Sequence, residues 1–102
     1  MPMVEVSNGG TPTFTVLTSF LNAKTYTVTS RHKALIVMGH HWMDSSQGGI
    51  SCTNATEIVE LGWYGNSTGL FYSVFTDFTS DTVVINYNTS QSNVRLTVIA
   101  ID

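Results

Sequence analysis

The sequence predicts an all-β domain, a two-sheet antiparallel β-sandwich of the jelly-roll type with eight to nine strands. Apolar and polar residues alternate with a period of two along much of the chain, and no segment has apolar residues at helical spacing over three turns. Strand-like runs recur about every ten residues, as in a sandwich or jelly roll. The 102 residues, 42% of them hydrophobic, suit one domain with its own core. The predicted strands cover residues 13–17, 24–29, 34–43, 49–53, 56–62, 70–78, 82–87 and 94–101.

Each predicted strand is bounded by residues that favour turns. Glycine and asparagine tolerate positive φ, and serine and aspartate bond their own backbone, so clusters of these residues separate strands. Residues 1–12 form a polar lead that we interpret as a short N-terminal arm, within which 4–6 is a further candidate edge strand. Residues 13–102 then form the single sandwich domain. The turn clusters lie at 7–10, 44–48, 65–69 and 88–93.

The strands differ in how many of their faces are apolar. In the segment 24–29, Tyr26 and Val28 alternate with threonines, which is typical of a sheet with one wet face. The segments 34–43, 70–78 and 94–101 are instead apolar on both faces. Because a sandwich buries only one face of each sheet, the second apolar face needs another subunit or a covering loop. We therefore predict a homo-oligomer; the alternative is a monomer with apolar side chains scattered over its surface.

The composition narrows the class of protein further. Only 11% of the residues are charged, against roughly 25% in an average soluble protein. The 15 threonines and 11 serines replace them, which suits extracellular modules and virion parts. Four dispersed basic residues and a net charge of −3 argue against a nucleic-acid partner. The sequence also lacks a signal-peptide pattern and a bilayer-length apolar run, so we predict cytoplasmic synthesis without a signal peptide and no membrane insertion.

Few residues are arranged for catalysis or metal binding. No strained strand-to-helix turn carries a serine, and strand alternation puts Glu57 and Glu60 on opposite faces, so we predict no enzyme and no cofactor. His40 and His41 are candidate metal ligands. As neighbours on a strand they point to opposite faces, so a metal site would need His32 or a carboxylate from elsewhere. The single cysteine, Cys52, is predicted to be a small buried residue.

Aromatic side chains are better candidates for a binding site. Trp42, Trp63 and Tyr64 offer flat surfaces, and Asn66 and Asn88 offer planar amides, at what we predict to be one end of the sandwich. Sugar recognition uses this mixture of stacking surfaces and hydrogen-bonding groups on loops. The alternative is that these aromatics pack in the core or in subunit contacts.

The C-terminal half resembles a known group of proteins. A turn followed by the β-branched run at 76–85, a polar loop, and the closing strand at 94–101 are similar to small jelly-roll modules of bacteriophage tail and head fibres and other receptor-binding virion proteins. The strands at 24–29 and 34–38 follow the same layout. The resemblance implies a homotrimeric virion subunit in a fibre, spike or head decoration, with other virion proteins and a host-surface glycan as partners. The alternatives are a stand-alone carbohydrate-binding module and a cupin-like metal-binding protein.

Overall fold

The computed structural model of the protein describes residues 11–43 and 47–102, and it forms eight strands in this part of the chain. The predicted edge strand at 4–6 lies outside the described residues. The predicted all-β, two-sheet antiparallel fold is confirmed. Within the described ranges, no helix has the length and hydropathy needed to cross a bilayer. The strands are β1 (Phe14–Leu21), β2 (Thr25–Val28), β3 (Ala34–Trp42), β4 (Ile50–Cys52), β5 (Thr56–Gly65), β6 (Thr68–Thr76), β7 (Val83–Tyr87) and β8 (Val94–Ile101).

The two sheets are unequal in width. The larger has five strands in the order β1-β8-β3-β6-β5, and the smaller has three in the order β2-β7-β4. Successive strands alternate between the sheets, as in a jelly roll, until β5 and β6, which form a hairpin within the larger sheet. Strict alternation of eight strands would give two sheets of four, but this hairpin makes the sheets five and three strands wide.

The core lies between the sheets and follows the period of two. In β3, Leu35 and Val37 are buried while Ile36 and Met38 are half-buried on the other face. Strands β6, β7 and β8 alternate in the same way, because successive side chains of a strand point to opposite faces. The buried hydrophobic residues are Val28, Leu35, Val37, Ile50, Phe71, Phe75, Val83, Ile85, Tyr87, Val94, Leu96, Val98 and Ala100.

Tyr87 of the smaller sheet fills the core at the end where β3 finishes. Its ring lies where the backbone of Gly39 leaves room, since a Cβ there would be 2.6 Å from Tyr87 Cδ1. Its hydroxyl is hydrogen-bonded to Nδ1 of the fully buried His41. The His41 ring also stacks on Phe71, with ring centroids 6.1 Å apart. Burial raises the pKa of the Tyr87 hydroxyl well above its usual value, which keeps it a neutral hydrogen-bonding group.

A tight turn joins β5 to β6. Gly65 pairs with Thr68, so the loop contains only Asn66 and Ser67, with φ angles of 50° and 62°. Positive φ at both central residues is the type I′ arrangement, whose twist matches the right-handed twist of the two strands that it joins. Asparagine tolerates this conformation well, which explains its place at the tip.

We expect that Gly69→Ala destabilises the protein. A Cβ at residue 69 would lie 2.2 Å from Cε1 of the buried His41. The ring or the strand must move, at a cost of about 1 to 3 kcal/mol in the free energy of unfolding. Gly49→Ala is the control, because nothing lies within 4 Å of its Cβ position. Urea denaturation measures both variants, and equal midpoints for the two would contradict the packing around His41.

Candidate functional site

The outward-facing side of the five-stranded sheet is apolar across its whole width. Directly paired residues of antiparallel strands point to the same face. The registers align one residue from each strand in a single row, and all five members are β-branched. From one edge of the sheet to the other, this central row is Val16, Ile99, Ile36, Val74 and Val59.

The rows on either side of the central row extend the apolar surface. One neighbouring row begins with Phe14, Ile101 and Ala34 and ends with Thr76 and Thr56, so it is apolar over three strands. The other contains Met38, Tyr72 and Leu61. At the edges of the sheet, Phe14 and Leu61 are 62% and 63% exposed. We call the following residues the outer face: Phe14, Val16, Ser19, Ala34, Ile36, Met38, Val59, Leu61, Tyr72, Val74, Thr97, Ile99 and Ile101.

The size of the larger sheet sets the size of this surface. Five strands about 4.8 Å apart and three rows about 6.7 Å apart give roughly 24 by 20 Å, or about 480 Å² for a flat surface. The largest apolar patch on an ordinary monomer is about 300 to 600 Å² and is often functional. The outer face is therefore as large as the patches that commonly mark interaction sites.

The polar side chains on and beside the outer face are bonded to one another. Ser19 Oγ and Thr97 Oγ1 are 2.9 Å apart, and Arg95 Nη1 donates to the Ser19 carbonyl oxygen at 2.7 Å. The Thr68 hydroxyl donates to the His41 carbonyl oxygen at 2.9 Å. These bonds are internal to the protein, so drying this part of the face costs few hydrogen bonds, whereas the Tyr72 hydroxyl has no hydrogen-bond partner among the described residues.

One end of the sheet carries aromatic side chains. His40 and Trp42 point outward from β3, with ring centroids 5.3 Å apart. His40 Nε2 lies 3.1 Å from Thr68 Oγ1; because that hydroxyl already donates to a carbonyl, the imidazole nitrogen donates to it. Trp63 points outward in the row of His40, across β6, and is 53% exposed. We call His40, Trp42, Trp63 and Thr68 the aromatic end.

The five candidate ligand-binding residues lie at one end of the sandwich but not on one surface. Trp42 and Trp63 share the outward-facing side of the larger sheet, whereas Tyr64 points to the opposite side and stacks on Phe71, with ring centroids 6.3 Å apart. Asn66 occupies the tip of the β5–β6 turn. Asn88 follows β7, where its Nδ2 donates to Ser51 Oγ at 3.3 Å. The structure thus groups the two tryptophans with His40, which the sequence suggested only as a metal ligand.

The histidines do not converge. His40 faces outward and His41 faces the core, as strand alternation requires. His32 lies at the far end of β3, with Nδ1 2.9 Å from Asp102 Oδ2. That contact lowers the pKa of the Asp102 carboxyl. Among residues 11–43 and 47–102, no three His, Cys, Asp or Glu side chains are grouped to hold a metal ion.

The expectation that Glu57 and Glu60 lie on opposite faces is wrong. The register of β5 shifts between Glu57 and Val59, and Glu57 and Glu60 pair with the inward-facing Phe75 and Ser73. A β-bulge adds one residue and reverses the alternation beyond it. Both carboxylates therefore point to the inner side of β5, where they are exposed because the three-stranded sheet does not reach this strand.

Cys52 is half-buried against the core. Desolvation raises the pKa of its thiol to about 11. The thiol is therefore almost fully protonated at neutral pH. Cys52 packs against the core, but it is half-buried and not buried as the sequence predicts.

Comparisons of the chain with protein-family models, curated proteins and solved structures found no match. The fold defines a β-sandwich module with sheets of five and three strands.

We predict that Cys52 reacts slowly with thiol reagents in the folded protein. A pKa raised from 9.0 to about 11 lowers the thiolate fraction at pH 8 by roughly 100-fold. Iodoacetamide labelling followed by mass spectrometry measures the rate. The same chain in urea is the control and should react at the rate of a free thiol, whereas equal rates in both conditions would contradict the burial of Cys52.

Proposed function

We propose that the protein is a non-enzymatic structural subunit of a β-rich homo-oligomeric assembly, of the kind found in virion fibres, spikes and head decorations. The observation that carries the proposal is the outer face, which is apolar across all five strands. Apolar burial is worth about 25 cal/mol per Å², so a surface of this size favours association over hydration. An assembly subunit gains from such a surface, whereas a soluble monomeric enzyme does not.

The distribution of charge supports the same proposal. The exposed ion pair of Arg31 with Asp81, at 2.6 Å, and the contact of His32 with Asp102 lie in loops and termini at the end opposite the aromatic end. The carboxylates of Glu57 and Glu60 lie on the inner side of β5. No charged residue belongs to the outer face itself, although the Arg95 guanidinium of the adjacent His40 row reaches Ser19.

The resemblance to small phage fibre modules supports a location in a virion. The strands that carry it are β7 and β8, together with β2 and the start of β3. A virion location, trimeric stoichiometry and contacts with other virion proteins enter the proposal from this resemblance alone. The low content of charged residues suits such a location.

Within this proposal, the aromatic end adsorbs carbohydrate of a host surface. Trp63 is half-exposed, and Trp42 and His40 present further ring surface on the same side of the sheet. Exposed indole rings pack against apolar sugar faces, and the neighbouring Asn66 side chain at the hairpin tip can bond hydroxyl groups. The aromatic end lies at one extremity of the sheet, where subunit packing across the central row leaves it accessible.

A second candidate function is a stand-alone carbohydrate-binding module. The same observation favours it, namely that Trp42 and Trp63 are on one surface. A stand-alone module needs no other subunit, unlike the first proposal. It therefore gives the outer face no function. The oligomeric state distinguishes the two.

We expect the purified protein to be an oligomer at micromolar concentration. Burial of the outer face supplies the driving force, and its area on two copies comes close to the roughly 1,000 Å² in total that a specific interface buries. Native mass spectrometry and sedimentation velocity measure the stoichiometry. A strict monomer at these concentrations would rule out the assembly proposal and leave the stand-alone binding module.

We expect Trp63→Ala to weaken binding to carbohydrate. A glycan array, followed by titration of the strongest ligand, should show at least a tenfold loss, or about 1.4 kcal/mol, because the exposed stacking surface is removed. Phe20→Ala is the matched control, since Phe20 is 63% exposed but pairs with the inward-facing Leu96, on the other side of the sheet. Equal binding by wild type and Trp63→Ala, or loss in both variants, would contradict the site.

A further inference from the structure

The outer face poses a question that the proposed function leaves open, namely what covers it. We propose that the occupant is a second copy of this chain, packed face to face about a twofold axis that passes near Ile36 and runs parallel to the strands. This inference rests on the proposed function, because it names the partner of the same surface. It also commits to a dimeric contact, whereas the resemblance implies a trimer.

The central row is self-complementary under such an axis. Strand β3 is the middle strand of the five, and Ile36 is the middle residue of the row. A twofold axis there sets Ile36 against its own copy and β1 against β5 of the partner. Val16 then meets Val59, and Ile99 meets Val74. Isoleucines thus meet near the axis and valines meet at the edges. Two identical copies are therefore complementary in shape along this row.

Water can be removed from the outer face on association with little loss of hydrogen bonds at Ser19 and Thr97. Ser19 and Thr97 are bonded to each other. The Arg95 guanidinium donates to the carbonyl and hydroxyl oxygens of Ser19, so its charge lies beside the three rows, at the rim of the contact. A charged or strongly polar partner would find no group of opposite charge in the three central rows. An apolar partner is required, and buried polar groups that are already paired cost little on association.

The geometry of sheet packing is compatible with this contact. Two twisted sheets pack about 10 Å apart with their strands roughly 30° from alignment, and side chains from the two faces interdigitate. The three packed rows offer about 480 Å² on each copy as a flat surface, or about 960 Å² in total, close to the roughly 1,000 Å² that a specific interface needs. The product is a four-layered particle with the three-stranded sheets outermost.

The position of the aromatic end follows from the same arrangement. Trp42 and Trp63 lie beyond the rows that pack about Ile36, at the rim of the contact. A parallel twofold axis places the aromatic ends of both copies at one end of the dimer. The dimer would then present two binding surfaces in the same direction, which raises avidity for a multivalent surface.

The test introduces a charge at the centre of the contact. Ile36→Lys is compared with wild type and with Thr27→Lys, which puts the same charge on the exposed outer side of β2 in the smaller sheet. Sedimentation velocity gives the dimer dissociation constant, and far-UV circular dichroism confirms the β fold. We expect a wild-type dimer, an increase of at least about 100-fold in the dissociation constant for Ile36→Lys, and no change for Thr27→Lys.

A second variant covers the case in which Ile36→Lys does not fold. Ile36→Thr keeps a β-branched side chain with high strand propensity and removes part of the apolar contact. Its dissociation constant should rise about tenfold.

The remaining outcomes separate the two proposals. A wild-type trimer, or a dimer that the folded Ile36 variants leave intact, overturns this inference while the assembly proposal stands. A wild-type monomer overturns both. A monomer that Ile36→Thr strongly destabilises would show that the same chain covers its own outer face, which also excludes the dimer.

Discussion

The mismatch in width between the two sheets governs this structure. Three strands cannot cover five, and a sheet whose strands are apolar on both faces has two surfaces that favour leaving water. The inner surface is dried by β2, β7 and β4 over the middle of the larger sheet. The outer surface has no such cover among the described residues, and its central strand β3 carries large aliphatic side chains there. The exposed inner side of β5 follows from this inequality, whereas the apolar outer face follows from strands that are apolar on both faces.

Strand β5 shows how the excess width is accommodated. It pairs only with β6, and the smaller sheet does not reach it. Its inner side can therefore be polar, and Glu57 and Glu60 occupy that side. The β-bulge after Glu57 then directs Val59, Leu61 and Trp63 outward, where they continue the apolar rows. Charges pointing inward at an edge strand also oppose uncontrolled strand pairing, which is a hazard for any free edge.

The two ends of the sandwich have different chemistry. At one end, loops and termini carry paired charges, including Arg31 with Asp81 and His32 with Asp102. At the other end, Tyr87 and His41 fill the core while Trp42 and Trp63 lie on the outer side. The aromatic side chains thus lie far from these paired charges, although Arg95 pairs with His40 in the same outward row. In the proposed assembly, this end would bind the ligand while the middle of the sheet held the subunits together.

Much of this organisation is determined by the sequence alone. The period-two pattern specifies which residues are in strands and which strands are apolar on both faces, because side chains of a strand alternate between faces. The same rule separates His40 from His41 and places the aromatic candidates near one end. Local pattern cannot decide which sheet a strand joins, because pairing is a choice between distant segments of the chain. Only the tertiary structure put β5 beside β6, introduced the bulge that brings Glu57 and Glu60 to one side, and aligned Val16, Ile99, Ile36, Val74 and Val59 into one row. Register decides these features. In the β5–β6 hairpin it depends on a bulge that the period-two pattern does not reveal, and in the other pairs it is set by hydrogen bonds between strands far apart in the chain.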